Sequence, residues 1–425
     1  MSPAIISLII LVVCIVLFIA RPIPNAATAC LGCLLFALTG VCDFSAAFSG
    51  FSNSTVILMF GMMVVGIAMM DTGAANLVGQ KVAKLSGHKE KLFILLAGLT
   101  SAVLSTFLSN TAVIAIFLPI IASIANSDKN MNRMNITLPV TLGAMFGGVC
   151  TLVGSTPQLT ANGILSEMSG TEIKMFDYTL PGVCITAVYI LFVLTIGHKI
   201  GNKVWGNREA VEIKESETVV EEVKINKKKM IIMLVIFILT IISFIGAWIP
   251  TQTTAVIAAL LCIITGCTTQ KSVIKNMDWS VVFVLAGCLG LASGITKGGL
   301  GDMIGQALSG VVESGIPVVV LFAIFVIATM LVSNFITNST AVVIILPVAL
   351  SLCMANQLNP IAFTLGIVFA ANLTFSTPLA NAQTAMTLVA GYKFSDYIKY
   401  TWLLDILVIL SILVFVPLFF PLTVS

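Results

Sequence analysis

Apolar residues run along this chain in stretches close to the ~20 residues that carry a helix across a bilayer, and the informative positions are the polar ones that interrupt them. The first such interruption lies in STFLSNTAVIAIFLP, residues 105–119, where Ser105, Thr106, Ser109, Asn110 and Thr111 sit inside an otherwise apolar region. An unpaired polar group in hydrocarbon is costly, so a cluster of them calls for a cavity lined by protein or water. The pattern returns as SNFITNSTAVVIILP, residues 333–347. Ser105 matches Ser333, Phe107 matches Phe335, Asn110 matches Asn338 and Pro119 matches Pro347, all at an offset of 228. Two polar, helix-breaking patches at corresponding places in two halves point to a transporter binding site.

The rest of the pattern fills in around these patches. Spans are expected at residues 4–20, 26–42 and 55–70, then an amphipathic, Lys-rich interfacial helix at 74–90. Residues 91–125 carry a polar break at 109–111, and each arm is short for a crossing. They are expected to form a re-entrant hairpin with its tip at Ser109-Asn110-Thr111. A span over 138–165 breaks at Gly154-Ser155-Thr156-Pro157, and a last span covers 179–197. After a charged stretch, the second half repeats this with spans at 230–249, 253–268 and 279–296 and a hairpin at 317–354. A span over 360–390 then breaks at Ser376-Thr377-Pro378, and a final span covers 400–421. At an offset of 226, Pro24 falls on Pro250, Thr39-Gly40 on Thr265-Gly266 and Gly61 on Gly287; the two broken spans align at 221.

Each half then has five crossings and one hairpin that returns to its own side. Five is odd, so the second half enters from the opposite face and the repeats are inverted. The fold class is an all-α polytopic membrane protein of two inverted-topology repeats, with broken helices at the midplane. The first repeat covers residues 1–200, of which 1–90 belong to a scaffold and 91–200 to a transport unit. A cytoplasmic charged linker spans 201–229. The second repeat covers 230–425, with 230–316 in the scaffold and 317–425 in the transport unit. Charge placement agrees: loops 21–25, 72–91, 126–137, 198–229, 268–278 and 391–399 hold 19 of the 21 Lys and Arg. Only Lys174 and Lys297 fall on the other side. The basic side is taken as cytoplasmic, which puts both termini outside.

Composition sharpens the class. Hydrophobic residues make up 58% and charged residues 9%, with mean hydropathy +1.10, which excludes a soluble domain of this length. The N-terminal apolar run lacks a basic leader and a small-residue cleavage site, so it reads as a retained span. Ten Cys are scattered, many in apolar runs. Cys30 and Cys33, in CLGC, come closest to a paired spacing, and buried packing is favoured over metal binding. His88 and His198 lie in charged, loop-like flanks. Asp71 reads as a helix-end residue, with Lys297 as its repeat partner. Asp405 reads as a residue near the start of the last span, close enough to the interface to be solvated, and a proton relay there is the lesser alternative.

The chemistry on offer is neutral oxygen. Hydroxyls, an Asn amide and unwound carbonyls are hard ligands suited to an alkali cation, and N–H groups at helix N-termini suit an anion. One half can build a cation site, the inverted half a second, with an anion between them. A lone Ser-Asn-Thr is more often helix packing; its duplication beside duplicated breaks outweighs that reading. An enzyme would need intramembrane His, Glu or Cys constellations, which the sequence does not display. A passive channel would show unsaturable flux.

These motifs resemble those of the divalent anion:sodium symporters, within the wider ion transporter superfamily, over nearly the whole chain. That family carries paired Ser-Asn-Thr tips and Gly-Thr-Pro breaks; here the second tip is Thr337-Asn338-Ser339 and the first break continues to Gln158. The resemblance implies a homodimer on a scaffold domain, an elevator-like transport domain and sodium as co-substrate. It places one sodium at Ser105, Ser109, Asn110 and the Gly154 carbonyl. A second would lie at Ser333, Ile336, Asn338 and the Ser376 carbonyl. The anion would meet Asn110, Thr111, Ser155, Asn338, Ser339, Thr377 and Pro378. The expected function is sodium symport of small divalent anions, foremost C4-dicarboxylates such as succinate, malate or fumarate, in a bacterial cytoplasmic membrane. The alternatives are a sodium-independent dicarboxylate or tricarboxylate exchanger and a sulfate or other oxyanion carrier. Lipid and a second copy are the expected partners, with no nucleic acid.

Overall fold

The computed structural model describes residues 1–74, 77, 89–128, 131–206, 226–313, 315–378 and 381–424. The described residues are helical throughout, apart from turns and one isolated bridge between Leu358 and Thr423. The first half contains α1 (Pro3–Ala20), α2 (Asn25–Leu38), α3 (Phe44–Ala47), α4 (Ser54–Asp71), α5 (Glu90–Ser105), α6 (Asn110–Ser127), α7 (Arg133–Gly148), α8 (Thr156–Ser169), α9 (Thr179–Phe192) and α10 (His198–Trp205). A π-helical turn, Val193–Gly197, joins the last two into one long rod. The second half contains α11 (Lys227–Gly246), α12 (Thr251–Ile264), α13 (Gln270–Asn276), α14 (Trp279–Lys297), α15 (Leu300–Glu313), α16 (Val318–Ser333), α17 (Asn338–Ala355), α18 (Pro360–Asn372), α19 (Ala382–Met386) and α20 (Phe394–Phe419). Among the described residues, eight of these rods are long and apolar enough to cross a bilayer.

Local chemistry explains the repeated boundaries. Pro24 and Pro250 stand just before α2 and α12, with φ fixed at −56° and −51°. Thr39 and Thr265 close those helices, and Gly40 and Gly266 follow at φ 73° and 69°, the left-handed stop that glycine adopts without penalty. The expected spans 26–42 and 253–268 are therefore shorter, ending at Leu38 and Ile264. Two helix–turn–helix hairpins are found at the expected places, and their second arms, α6 and α17, are among the eight rods long and apolar enough to cross. Their first arms have 16 residues each, about 24 Å at ~1.5 Å per residue and short of the ~30 Å hydrocarbon core.

The two halves interlock. α4 packs on α12, and α14 packs on α2, so each contact has its mirror across the halves. Gly61 and Gly287 make both approaches possible. A Cβ on Gly61 would lie 2.7 Å from the Ala255 carbonyl carbon, and one on Gly287 would lie 2.6 Å from Ala29 Cβ. The loops separate into two faces. Glu90 accepts from the Asn132 N–H (2.7 Å) and lies 2.9 Å from His198 Nε2, Leu138 N–H donates to Tyr392 Oη (2.9 Å), and Thr268 donates to Asp71 (2.6 Å). Those contacts join only loops of the basic set. On the other face Lys297 meets Asp43 (3.5 Å), and Asn359 Nδ2 donates to the Pro421 carbonyl (2.8 Å). Asp43 caps α3; the Ala46 N–H, with Lys297 nearby, holds its carboxyl below the ordinary range.

Four expectations change. The last span begins at Phe394 rather than 400, because Asp396 accepts from the Lys393 N–H (2.8 Å) and caps the helix earlier. The helix before the linker runs on to Trp205, whose indole N–H donates to Asn135 Oδ1 (2.7 Å), so the linker starts later than 201. Residues 207–225 of that linker, His88 and most of the interfacial helix expected at 74–90 lie outside the described residues. His198 sits on a helix against Glu90, not in a loop. The broken span opens at Arg133, where the Asn132 side chain accepts from the Met134 N–H (2.9 Å).

If the glycine contacts fix the interlock, Gly61→Val and Gly287→Val each overpack a crossing. Each is expected to cost at least ~1–3 kcal/mol, read as a lower unfolding midpoint in detergent. A loss for one variant only would contradict the mirrored packing.

Candidate transport site at the hairpin tips

Each hairpin tip pairs a Ser of its first arm with the Asn that opens its second, but only the first tip has a side-chain cap. In the first, Ser109 stands at the N-cap of α6, and its hydroxyl accepts from the Ala112 N–H (3.3 Å). Asn110 is buried, and Ser105 from the other arm donates to its Oδ1. The Asn110 amide rests on Gly148, where a Cβ would collide with it. In the second tip, Ser333 Oγ lies 3.0 Å from Asn338 Oδ1 and 2.9 Å from the Ala371 carbonyl. Thr374 Oγ1 lies 3.5 Å from both the Ser333 hydroxyl and Asn338 Oδ1. Two knots of neutral oxygen result, each made from two hairpin arms and one broken span.

The breaks expose backbone that side chains must satisfy, since no water reaches buried amides at this depth. Gln158, wholly buried, donates to the Gly148 (2.8 Å) and Thr151 (2.9 Å) carbonyls. Asn381 does the same for Thr374, through its carbonyl and, at 3.3 Å, its hydroxyl. Thr151 ties the first break to its hairpin through the Thr106 carbonyl, and Thr377 ties the second through Asn334. Pairing Gln158 with Asn381 and Thr151 with Thr374 gives an offset of 223, so the Ser-Thr-Pro letters aligned at 221 are two residues out of structural register. The breaks meet each other: Ser155 Oγ lies 2.7 Å from Asn372 Oδ1, and the rings of Phe146 and Phe375 stack at 5.7 Å.

The expected residues divide accordingly. Ser105 with Asn110, and Ser333 with Asn338, are brought together. Gly154 packs on the Gly148 backbone beside the first pair. Ser109, Thr111 and Ser339 line the tips, and Ile336 is buried in the hairpin turn. Thr377 and Pro378 are buried in the second break. The Ser376 hydroxyl turns away from the Ser333–Asn338 pair and meets Thr401 (2.8 Å) and Asp405. Asp405 is not solvated: with the helix starting at Phe394, it lies about 17 Å along α20 at ~1.5 Å per residue. Gln158, Asn372, Thr374 and Asn381 are the functional candidates that sequence reading missed. Their amide and hydroxyl types in an apolar stretch were the available signal.

The citrate transporter family model matches residues 15–334. The chain belongs to the citrate transporter family. It is a multi-pass membrane chain, and the family to which it belongs is one of transporters rather than enzymes. It is 25% identical over 411 residues to the sodium-dependent dicarboxylate transporter SdcS of Staphylococcus saprophyticus, covering 88% of this chain and 78% of that one. It is 30% identical over 187 residues to the uncharacterized transporter YfbS of Escherichia coli, 44% of this chain and 30% of that protein. It is 26% identical over 188 residues to the uncharacterized transporter sll0640 of Synechocystis, of which 31% is covered. The match thus spans about a third of the length of these last two relatives. Among solved structures, the YdaH transporter of Alcanivorax borkumensis superposes with TM-score 0.64 at 13% identity, covering 98% of both chains. MtrF of Neisseria gonorrhoeae gives 0.62 at 14% identity, covering 100% of this chain and 96% of that one. These likenesses carry the fold.

In this citrate-transporter fold the two tips sit differently against the interlocked helices. Phe107 packs edge-on against Phe237 of α11, with ring centroids 5.9 Å apart, while its repeat partner Phe335 is 71% exposed. Beside the exposed tip lies a cavity of about 470 Å³ lined by Arg21, Pro22, Ile23, Pro24, Asn25, Ser280 and Thr337. The cavity joins the second tip to the first basic loop, while at the first tip Ser109 and Thr111 are exposed.

Because each buried amide matches backbone carbonyls, Gln158→Ala and Asn381→Ala strip donors from both breaks. Each is expected to cost ~1–3 kcal/mol and lower the detergent unfolding midpoint, with reduced uptake. Unchanged stability in both would show that the breaks find other donors.

Proposed function

We propose that this member of the citrate transporter family is a sodium-coupled symporter of small divalent anions, foremost C4-dicarboxylates such as succinate, malate or fumarate, of the divalent anion:sodium symporter type. The carrying observation is the pair of neutral-oxygen knots, Ser105–Asn110 and Ser333–Asn338, each beside a helix break and at a helix N-terminus. The name of the relative SdcS supports both the dicarboxylate and the sodium. In each knot a hydroxyl hydrogen now occupies the Asn oxygen; a sodium ion would turn both oxygens toward itself, with the Gly154 and Ser376 carbonyls completing the sets. The anion would then bind between two cations at the N-termini of α6, α8 and α17, through Asn110, Thr111, Ser155, Asn338, Ser339, Thr377 and Pro378. At ~4 Å and an effective dielectric near ~20, each unit-charge pair is worth roughly 4 kcal/mol, enough to make anion binding depend on sodium.

Residues 91–200 and 317–425 would move as one body past 1–90 and 230–316, since Thr151 and Thr377 bind each break to its hairpin. The protein would sit as a homodimer in a bacterial cytoplasmic membrane, the exposed apolar face of α1 (Leu8, Val12, Val16, Ile19) against lipid. With the basic loops cytoplasmic, the 470 Å³ cavity would face the cytoplasm, as in an inward-open state.

Asn110→Ala and Asn338→Ala are expected to abolish sodium-driven succinate uptake into proteoliposomes while leaving folded, inserted protein. Normal uptake by either would defeat the two-knot reading. In wild type, sodium should raise succinate affinity, and succinate should raise sodium affinity equally. Binding measured in detergent across a sodium titration, with choline holding ionic strength, tests this; an affinity independent of sodium would favour an exchanger. A Cys placed in the 207–225 linker should resist a membrane-impermeant label added outside intact cells, and labelling there would invert the orientation.

A further inference from the structure

We propose that Asp405, Ser376 and Thr401 form a further alkali-cation site behind the second broken span, separate from the Ser-Asn knots. The inference rests on the sodium-coupled reading above. Asp405 lies well inside α20, a rod of 26 residues, and a carboxyl at that depth takes up a proton unless a partner of opposite charge or a bound cation holds it ionised. Among the described residues no Lys, Arg or His pairs with it. Its Oδ2 accepts from Ser376 and lies 3.4 Å from Thr401 Oγ1. Its Oδ1 is closed to solvent and has no hydrogen-bond partner. The Ser376 and Thr401 hydroxyls are 2.8 Å apart, so three side chains from two elements bring their oxygens to one point with one carboxylate oxygen still open. Hard oxygens with a single negative charge suit a monovalent cation; a calcium-type site would gather six to eight oxygens and more carboxylates.

The position gives the site its consequence. Ser376 belongs to the break whose next residue, Thr377, is tied to the hairpin tip through Asn334. A cation drawn between Ser376 and Asp405 fixes the break against α20 and sets the Thr377 side of the anion site. At offset 219, where Asp177-Tyr178 falls on Asp396-Tyr397, Asp405 corresponds to Thr186, whose hydroxyl lies 2.7 Å from the Gly182 carbonyl and 3.0 Å from that of Phe146. The first half therefore has no counterpart, and the site is an addition to the symmetric design. With two cations at the knots balancing a divalent anion, a cation at Asp405 makes each cycle carry one net positive charge inward.

The test is the number of radiolabelled sodium ions bound per protomer of purified full-length protein in detergent, without anion. Wild type is expected to bind three, Asp405→Asn two. In proteoliposomes the Asn variant should show sodium-dependent succinate uptake with a weakened apparent succinate affinity and without acceleration by an inside-negative potential. Equal counts in wild type and Asp405→Asn, with potential-sensitive uptake in both, would overturn the site while leaving sodium coupling intact. Wild type that binds no sodium would instead defeat the symporter reading itself. Should Asp405→Asn fail to fold, Thr401→Val gives the same comparison through weaker binding at one site only; full-affinity binding of all three ions by that variant would overturn the proposal.

Discussion

A helix that breaks inside a bilayer leaves carbonyl and amide groups that water cannot reach, and the rest of this molecule is arranged around matching them. In both halves the match comes from a buried amide a few residues past the break, Gln158 or Asn381, and from a hydroxyl that reaches the adjacent hairpin, Thr151 or Thr377. The same bonds that make the breaks tolerable lock each break to a hairpin tip. The bonds that satisfy the breaks therefore also hold each hairpin tip in place. A looser hairpin would leave orphaned backbone groups, so the tips cannot drift independently of the spans that complete them.

The interlocked helices answer a different demand. There is no hydrophobic drive for helices to associate within lipid, so close backbone approach must do the work. Gly61 on Ala255 and Gly287 on Ala29 supply it in mirrored form. Because each glycine faces an alanine from the opposite half, neither half can complete this packing alone. The charged ends follow the same logic: Asp71 and Lys297 are repeat partners, and each reaches the loop after the second span of the other half.

Much of this was legible in the sequence, for physical reasons. Gly, Pro and Asn act locally, so Thr39-Gly40, Pro24 and Asn110 announce their stops and turns at both copies. The hairpins were visible because a polar break divides each apolar run into arms of 16 and 18 residues. What escaped reading depends on distant partners. Letter matching placed Ser-Thr-Pro on Ser-Thr-Pro, but the register of the breaks is set by which carbonyls an amide can reach. The start of α20 turns on one cap at Asp396, and moving that start by six residues carries Asp405 from the interface into the membrane. Trp205 finds Asn135 from 70 residues away, so the helix looked like linker. The division into scaffold and transport units was likewise argued from motif and family likeness.

The unequal treatment of Phe107 and Phe335 has a thermodynamic meaning. Were the two halves to exchange their arrangements, the two states need not be equally populated. Phe107 finds an aromatic partner in Phe237, whereas the repeat equivalent of Phe237, at the offset of 226, is the aliphatic Leu11. Exchanging the arrangement would trade a ring–ring contact for a ring–aliphatic one, a difference of about 0.5–1.5 kcal/mol. The small departures from perfect repetition therefore give the two halves unequal contacts.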